Sequence, residues 1–380
     1  MESFFIRNDI LAPMFEVFDT NSAACLLLSY FPGIGPTIYG ELVRTLGEPS
    51  AVFTAEEREL RLILAGRTDS FIRFRDSFDS AQIISVLKSQ HINYIARTSN
   101  NYPTSLATIP DPPIGLFCRG NENLLNRAPF CAVVGSRMPT DYGLQVTIDI
   151  VSRIVQSDIG IVSGMALGID AQAHTTALKL NGKTVAVLGC GVDIAYPQQN
   201  KPLYDEIIEN GAVISEFPPG MFAKKGMFIA RNRIISALST VVVCVEGNEH
   251  SGALITARYA AEQGRDVAAV PGSIYSDLSR APHILLREGA FPASSAQDVL
   301  ELFGKIDTNN ENVKQPNREY TKHEIQILTS IETGSTIDHI VRTSGLSFSR
   351  VSTHLSTLEL EGIISRNDFG QWIRTRNLSL

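Results

Sequence analysis

The sequence predicts an α/β protein in which a parallel β-sheet, covered by helices on both faces, follows a helical domain and precedes a winged helix. Three observations carry this. Six short apolar runs in the centre, rich in β-branched residues, alternate with stretches long enough for helices. Most of these runs end at a glycine. On either side of them apolar residues recur at the helical period instead.

The first domain, residues 1–85, is read from helical spacing between Ser22 and Gly66. Within it Phe31-Pro-Gly-Ile-Gly-Pro36, followed by amphipathic Ile38 to Leu46, has the shape of a helix-hairpin-helix. Its Gly-x-Gly turn can hold a phosphate on backbone N–H groups. A plain turn between packed helices fits better, because no lysine or arginine adjoins these glycines in sequence.

The second domain, residues 86–304, contains a proline-rich stretch from Tyr102 to Gly120 that reads as an extended connecting arm. The strands are Cys131 to Val134, Ile159 to Val162, Thr184 to Leu188, Ala212 to Ser215, Val241 to Val245 and Asp266 to Val270. Gly135, Gly164, Gly189, Gly247 and Gly272 follow most of them, which places a ligand site beyond the carboxyl ends of the strands. Residues 305–319 are polar and form a linker. In residues 320–380, three helical patterns through Ile327, Ile340 and Leu355 precede a hairpin from Gly362 to Arg374, the order of a winged helix.

A net charge of -7 excludes a general basic coat, so any nucleic-acid contact must come from a local patch. The winged-helix segment is itself neutral, with seven Lys or Arg and seven Asp or Glu from Arg318 onward, which favours a protein-contact role as much as duplex reading. Ser349, Arg350 and Ser352 would be its contacts if DNA binds there. The five cysteines, at 25, 118, 131, 190 and 244, lack Cys-x-x-Cys spacing and read as buried, reduced thiols. We expect no metal, no cofactor, no signal peptide, no membrane contact and a cytoplasmic location.

One patch stands out. Lys224 to Ala237 holds Lys224, Lys225, Arg231, Asn232 and Arg233 around Phe228. Cations meet phosphates and a ring face receives a base, so the cluster suits single-stranded nucleic acid. Arg233 is the cation that could instead turn inward, towards Glu216 or Asp193.

Gly135-Ser136-Arg137 links the first predicted strand to a helix and forms a candidate anion site, although such a turn can also be purely structural. Ser163 to His174 repeats the arrangement: Gly164 and Gly168 suit phosphate approach, and Asp170 suits capping or orienting Arg137. His174, among alanines, is read as a packed histidine with a satisfied ring in preference to a general acid. Gly189-Cys-Gly191 begins a dinucleotide fingerprint that fails at Ile194, and Gly182-Lys183-Thr184 precedes a strand where a P-loop would follow one. Ser251 and Gly252 open a further helix as an anion contact or N-cap.

Taken in order, Tyr102-Pro103, Gly135-Ser136-Arg137, Gly164-x-Ala-x-Gly-Ile-Asp170, Gly189-x-Gly191 with Tyr196-Pro197, Ser215-Glu-Phe-Pro-Pro219, Arg231-Asn-Arg-Ile-Ile235, Ser251-Gly-x-Leu-Ile-Thr256 and Pro271-Gly272 resemble the DNA processing protein A (DprA/Smf) family. The resemblance implies an extended Rossmann-like domain between a helix-hairpin-helix (SAM-like) domain and the winged helix. It implies a non-enzymatic homodimer that binds single-stranded DNA and helps load the RecA recombinase in natural transformation. Its phosphate-gripping arginine falls on Arg137, its basic residue on Lys225 and its base-contacting aromatic on Phe228. The chain departs from the family pattern at Ile229, where proline is common, and across Arg280 to Ala290. The alternative is a nucleotide phosphoribohydrolase of the LOG (lysine-decarboxylase-like) type, whose catalytic glutamate Glu246 or Glu249 would have to replace.

Overall fold

The computed structural model describes residues 13–126, 129–305, 320–331, 334–360, 363–367 and 370–374. It divides into two compact units, Met1–Ile306 and Asp307–Leu380. The expected linker lies almost wholly outside the described residues, as do Gly362, Asp368 and Phe369 of the expected hairpin.

The first unit opens with helices α1 (Thr20–Tyr30), α2 (Pro36–Leu46), α3 (Glu57–Leu64), α4 (Thr68–Asp76) and α5 (Ser80–Ser89). Several starts have a local cause. Asp19 accepts from the Ser22 N–H ahead of α1, Pro36 opens α2, and Glu56 with Glu59 forms a capping box on α3. Leu26, Leu27, Leu42, Leu60 and Phe71 bury between these helices, each worth about 1.5–3 kcal/mol over exposure. The Gly33 turn has φ +103° and carries the side chain of Arg67, whose Nη1 donates to the Gly33 carbonyl at 3.3 Å. A cation therefore does adjoin the turn, brought there by folding. The expected boundary after residue 85 falls inside α5, and Tyr94 and Phe117 of the sheet share the helices' apolar cluster.

All six expected strands form: β3 (Phe130–Val134), β4 (Gly160–Ser163), β5 (Thr184–Val187), β6 (Ala212–Ser215), β7 (Val241–Cys244) and β8 (Asp266–Ala269). Three more join them, β1 (Asn93–Ala96), β2 (Gly115–Gly120) and the two-residue β9 (Phe291–Pro292), in the order β1-β2-β6-β5-β4-β3-β7-β8-β9. Seven neighbouring strands are parallel, while β1 and β2 pair antiparallel at one edge. The expected connecting arm is thus corrected. After a single helical turn, α6 (Thr104–Ala107), it becomes β2, which is almost wholly buried.

Helices α7 (Asp141–Gln156), α8 (Ile169–Lys179), α9 (Lys201–Asn210), α10 (Lys225–Leu238), α11 (Gly252–Glu262), α12 (Arg280–Arg287) and α13 (Ala296–Glu301) cover the sheet. Alternation along β3 shows both layers. Phe130, Ala132 and Val134 join the cluster of α10 and α11, and Cys131 and Val133 join that of α7 and α8. All five cysteines are buried and free, and burial pushes the Cys118 and Cys244 thiols up to about 12. No helix among the described residues is long and apolar enough to cross a membrane, and no group of His, Cys, Asp or Glu among them could hold a metal.

The second unit contains α14 (Lys322–Ser330), α15 (Ile337–Ser344), α16 (Phe348–Leu360) and the antiparallel hairpin β10 (Ile364–Arg366) and β11 (Trp372–Arg374), the winged-helix order. Ile327, Leu328, Ile340, Val351, Leu355 and Trp372 form its core. The exposed Ser349 and Arg350 stand in the first turn of α16.

Candidate nucleic-acid interface

The strand order reverses between β3 and β7, so their outgoing turns diverge and leave a crevice at the carboxyl edge. Residues 134–138 at the end of β3, Gly247, Asn248 and residues 250–253 after β7, and the first two turns of α10 line a cavity there of about 780 Å³. Arg137, Lys225 and Phe228 all line it. Arg137 is exposed and its Cζ lies 5.9 Å from the centre of the Phe228 ring, a cation–π distance. Phe228 is half-buried and leans on Tyr196, with ring centres 5.1 Å apart at 38°. Lys225 is exposed at the first position of α10.

The helix starts around this cavity are not equivalent. At α7, Thr140 accepts from the Gly143 N–H, and Glu246 accepts from the Thr140 N–H at 2.9 Å and its Oγ1 at 2.5 Å. The protein's own carboxylate therefore occupies the helix start that Gly135-Ser136-Arg137 was expected to offer an anion. Gly135 and Ser136 still line the cavity, where Ser136 Oγ accepts from the Met138 N–H at 3.1 Å. Ser251 is the N-cap of α11, accepting from Leu254 N–H at 3.3 Å, and it lines the cavity beside Gly252. Lys224 at the start of α10 makes no side-chain cap, so that helix presents free N–H groups.

Several expected contacts are corrected. Arg231 is only 6% exposed; its Nη1 donates to the carbonyls of Gly164 (2.6 Å) and Val187, and its Nε to Asn232 Oδ1 (3.0 Å). Asn232, also buried, donates to the Gly252 carbonyl at 3.3 Å. The pair ties the ends of β4 and β5 to α10 and α11, so Arg231 forms part of the cavity floor and is not a free phosphate clamp. A Cβ at Gly164 would collide with that guanidinium, so this glycine makes room for the arginine. Gly168, at φ +79°, packs on the Ser136 carbonyl and lies outside the cavity lining. Arg233 turns inward, pairing with Glu216 at 2.5 Å and Asp111 at 2.9 Å. Asp193, its other expected partner, accepts from the Gly220 N–H instead. Arg233 and the exposed Lys224 line a separate cavity of about 620 Å³.

Asp170 neither caps a helix as an N-cap nor reaches Arg137. It is buried, accepting from the N–H groups of Gly164 and Ala166, and burial raises its pKa against the opposing pull of Arg231. His174 is packed as expected, with Nδ1 2.7 Å from Thr184 Oγ1, but its Nε2 has no partner among the described residues. Sequence reasoning missed Tyr196 as a neighbour of Phe228 and Glu246 as a helix cap. The Tyr196-Pro197 step after the glycine turn of β5 was the available signal for the first.

Residues 93–304 match the family described as DNA recombination-mediator protein A, and residues 314–368 match the DprA winged helix domain. The chain is 31% identical over 392 residues to Protein Smf of Synechocystis, covering 92% of this chain and 97% of that protein. It is 46% identical over 202 residues to DNA processing protein DprA of Streptococcus pneumoniae, covering 53% of this chain and 71% of that one. The X-ray structure of the pneumococcal protein superimposes with a TM-score of 0.65 at 35% identity, covering 75% of this chain and 98% of that one. A Helicobacter pylori DNA processing protein A, whose structure is described by its single-stranded DNA binding mode, gives a TM-score of 0.51 at 31% identity, covering 56% and 97%.

Proposed function

The chain belongs to the DNA recombination-mediator protein A family, and from that premise we propose that it binds single-stranded DNA in the crevice between β3 and β7. One observation carries the reading: an exposed arginine, an exposed lysine and a half-buried aromatic from two separate elements line one cavity. Phosphates lie along Arg137, Lys225, Gly252 and the starts of α10 and α11, and a base stacks on Phe228. The reading extends, on the family resemblance, to a cytoplasmic homodimer that passes strands to RecA during natural transformation. It keeps four segments, 1–85, 86–304, 305–319 and 320–380, as functional divisions.

The enzymatic alternative requires a free glutamate at the crevice. Glu246 is buried and engaged by Thr140, and Glu249 lies near Arg280 and His250 on the surface. Both arrangements favour binding over catalysis.

The test compares affinities for single-stranded and duplex oligonucleotides of one sequence at two salt concentrations. Wild type should prefer the single strand, and Arg137→Glu with Lys225→Glu should lower that affinity by at least about a hundredfold without loss of folding, because both side chains are exposed. Unchanged binding by the double variant would remove the assignment.

A further inference from the structure

The cavity of about 620 Å³ that Lys224 and Arg233 line lies between the Gly33 turn of the helical domain and the start of α10. We propose that it is a second phosphate site, which holds the backbone of the bound strand where it leaves the crevice. The inference rests on the single-strand reading above and gives the strand a course, from the crevice across the start of α10 to the helical domain.

Two helix starts meet there. Gly35, the N-cap of α2, makes no side-chain cap, and Gly35, Pro36 and Thr37 line the cavity. Lys224 and Gly226 line it from the start of α10, which is equally uncapped. Each such start carries N–H groups without helical partners and a partial positive charge, so an anion between them is drawn by both. The start of α10 also joins the two cavities. Lys225 lines the crevice, its neighbours Lys224 and Gly226 line this cavity, and Ile229 lines both, so a strand leaving the crevice past Lys225 meets this cavity next.

The buried side of the cavity points to a ligand independently. Arg233 lines it and is 4% exposed; its Nε and Nη2 are spent on Asp111 and Glu216, and its Nη1 has no partner among the described residues. A buried guanidinium N–H without a partner is costly, and a phosphate oxygen would satisfy it. Asp111 and Glu216 also line the cavity, and Glu216 Oε1 is likewise unpartnered, which a water held with the phosphate would serve. These carboxylates offset Lys224 and Arg233, which leaves the two helix starts and Arg67, the exposed cation on the Gly33 carbonyl, to set the sign of the site. The cation that the Gly-x-Gly turn lacks in sequence is thus supplied by folding, from Arg67 on one side and Lys224 on the other.

The experiment measures the affinity of the full chain for an oligothymidylate at several salt concentrations. A Cβ at Gly35 would meet no atom within 4 Å, and its φ of -100° suits any residue, so substitution there leaves the fold intact. Gly35→Asp caps α2 with a carboxylate that takes the place of the phosphate. It should lower affinity about tenfold and make the slope of log affinity against log salt shallower by about 0.7, the loss of one phosphate, whereas the isosteric but uncharged Gly35→Asn should cost clearly less. Lys224→Gln should remove the same 0.7 or so of slope, and combining it with Gly35→Asp should remove no more, because both act on one phosphate. Wild-type affinity and slope in Gly35→Asp, equal losses from Gly35→Asp and Gly35→Asn, or additive losses of slope in the combined variant would each overturn the site. If Arg137→Glu with Lys225→Glu still abolished binding in that case, the single-strand reading would stand with the strand leaving the crevice another way; normal binding by that variant would remove both.

Discussion

Arg231 and Arg233 show how little a residue's type says about its task. They are two positions apart on α10, so their side chains leave the helix about 200° apart and cannot grip one strand. Their spacing already contained this, but a cluster of cations in sequence conceals it until the helix start is known. Arg137, Lys225 and Phe228 stand beside an expected strand end or helix start in the sequence, and the fold brings all three to one cavity. Gly164 and Asp170 were misread because their partner, Arg231, lies more than sixty residues away. His174 supplies a prediction at this scale. Burial, aided by the charge of Arg231, lowers its pKa from 6.5 to about 3. Below pH 6.5 the unfolded chain takes up a proton that the folded ring refuses, so stability contributed by the neutral ring falls as pH drops towards 3. Between pH 7 and pH 5 this costs about 2 kcal/mol. Urea unfolding at both pH values should show wild type losing about 2 kcal/mol more than His174→Gln on acidification; equal losses would show that the folded ring accepts the proton.

At the scale of elements, α10 begins against the rules of helix stability. Lys224 is its N-cap and Lys225 its first residue, with no acidic side chain in the first turn, so two cations face the positive end of the helix dipole. Ser, Asp or Asn would cap better. A helix start left uncapped and positively charged is what an anion-binding surface needs, and the structure accepts the stability cost. Lys224→Asp should therefore raise stability by about 1 kcal/mol, from the new cap and the reversed charge, while weakening single-strand binding. Thermal unfolding and a binding titration on the same variant check both halves; greater stability with undiminished affinity would show that Lys224 lies off the strand's path. Elements were otherwise legible where the sequence keeps a continuous apolar run. The six central strands are apolar runs, whereas β9 has only two residues and β2 is hidden behind prolines that precede it. Pairing with β6 and packing of Phe117 against the helical domain decide β2, and neither is a local property.

At the scale of the molecule, a net charge of -7 is compatible with the proposed strand-binding crevice because the cations are few and placed where helix starts reinforce them. With Arg231 and Arg233 withdrawn into the fold, Arg137, Lys224 and Lys225 remain as exposed cations beside the crevice and α10. Three neutralised phosphates give a slope of log affinity against log salt of about -2 on a single strand. The second unit has its own core and a neutral balance of charge, and the first holds every residue of the proposed site. A chain ending at residue 306 should accordingly bind an oligothymidylate within about twofold of the full chain, at the same slope of about -2. The comparison is decisive because each missing phosphate contact changes the slope by about 0.7 as well as the affinity. A shallower slope in the shortened chain would count the contacts made by Arg350 and its neighbours at the start of α16, and would make the winged helix part of the DNA path.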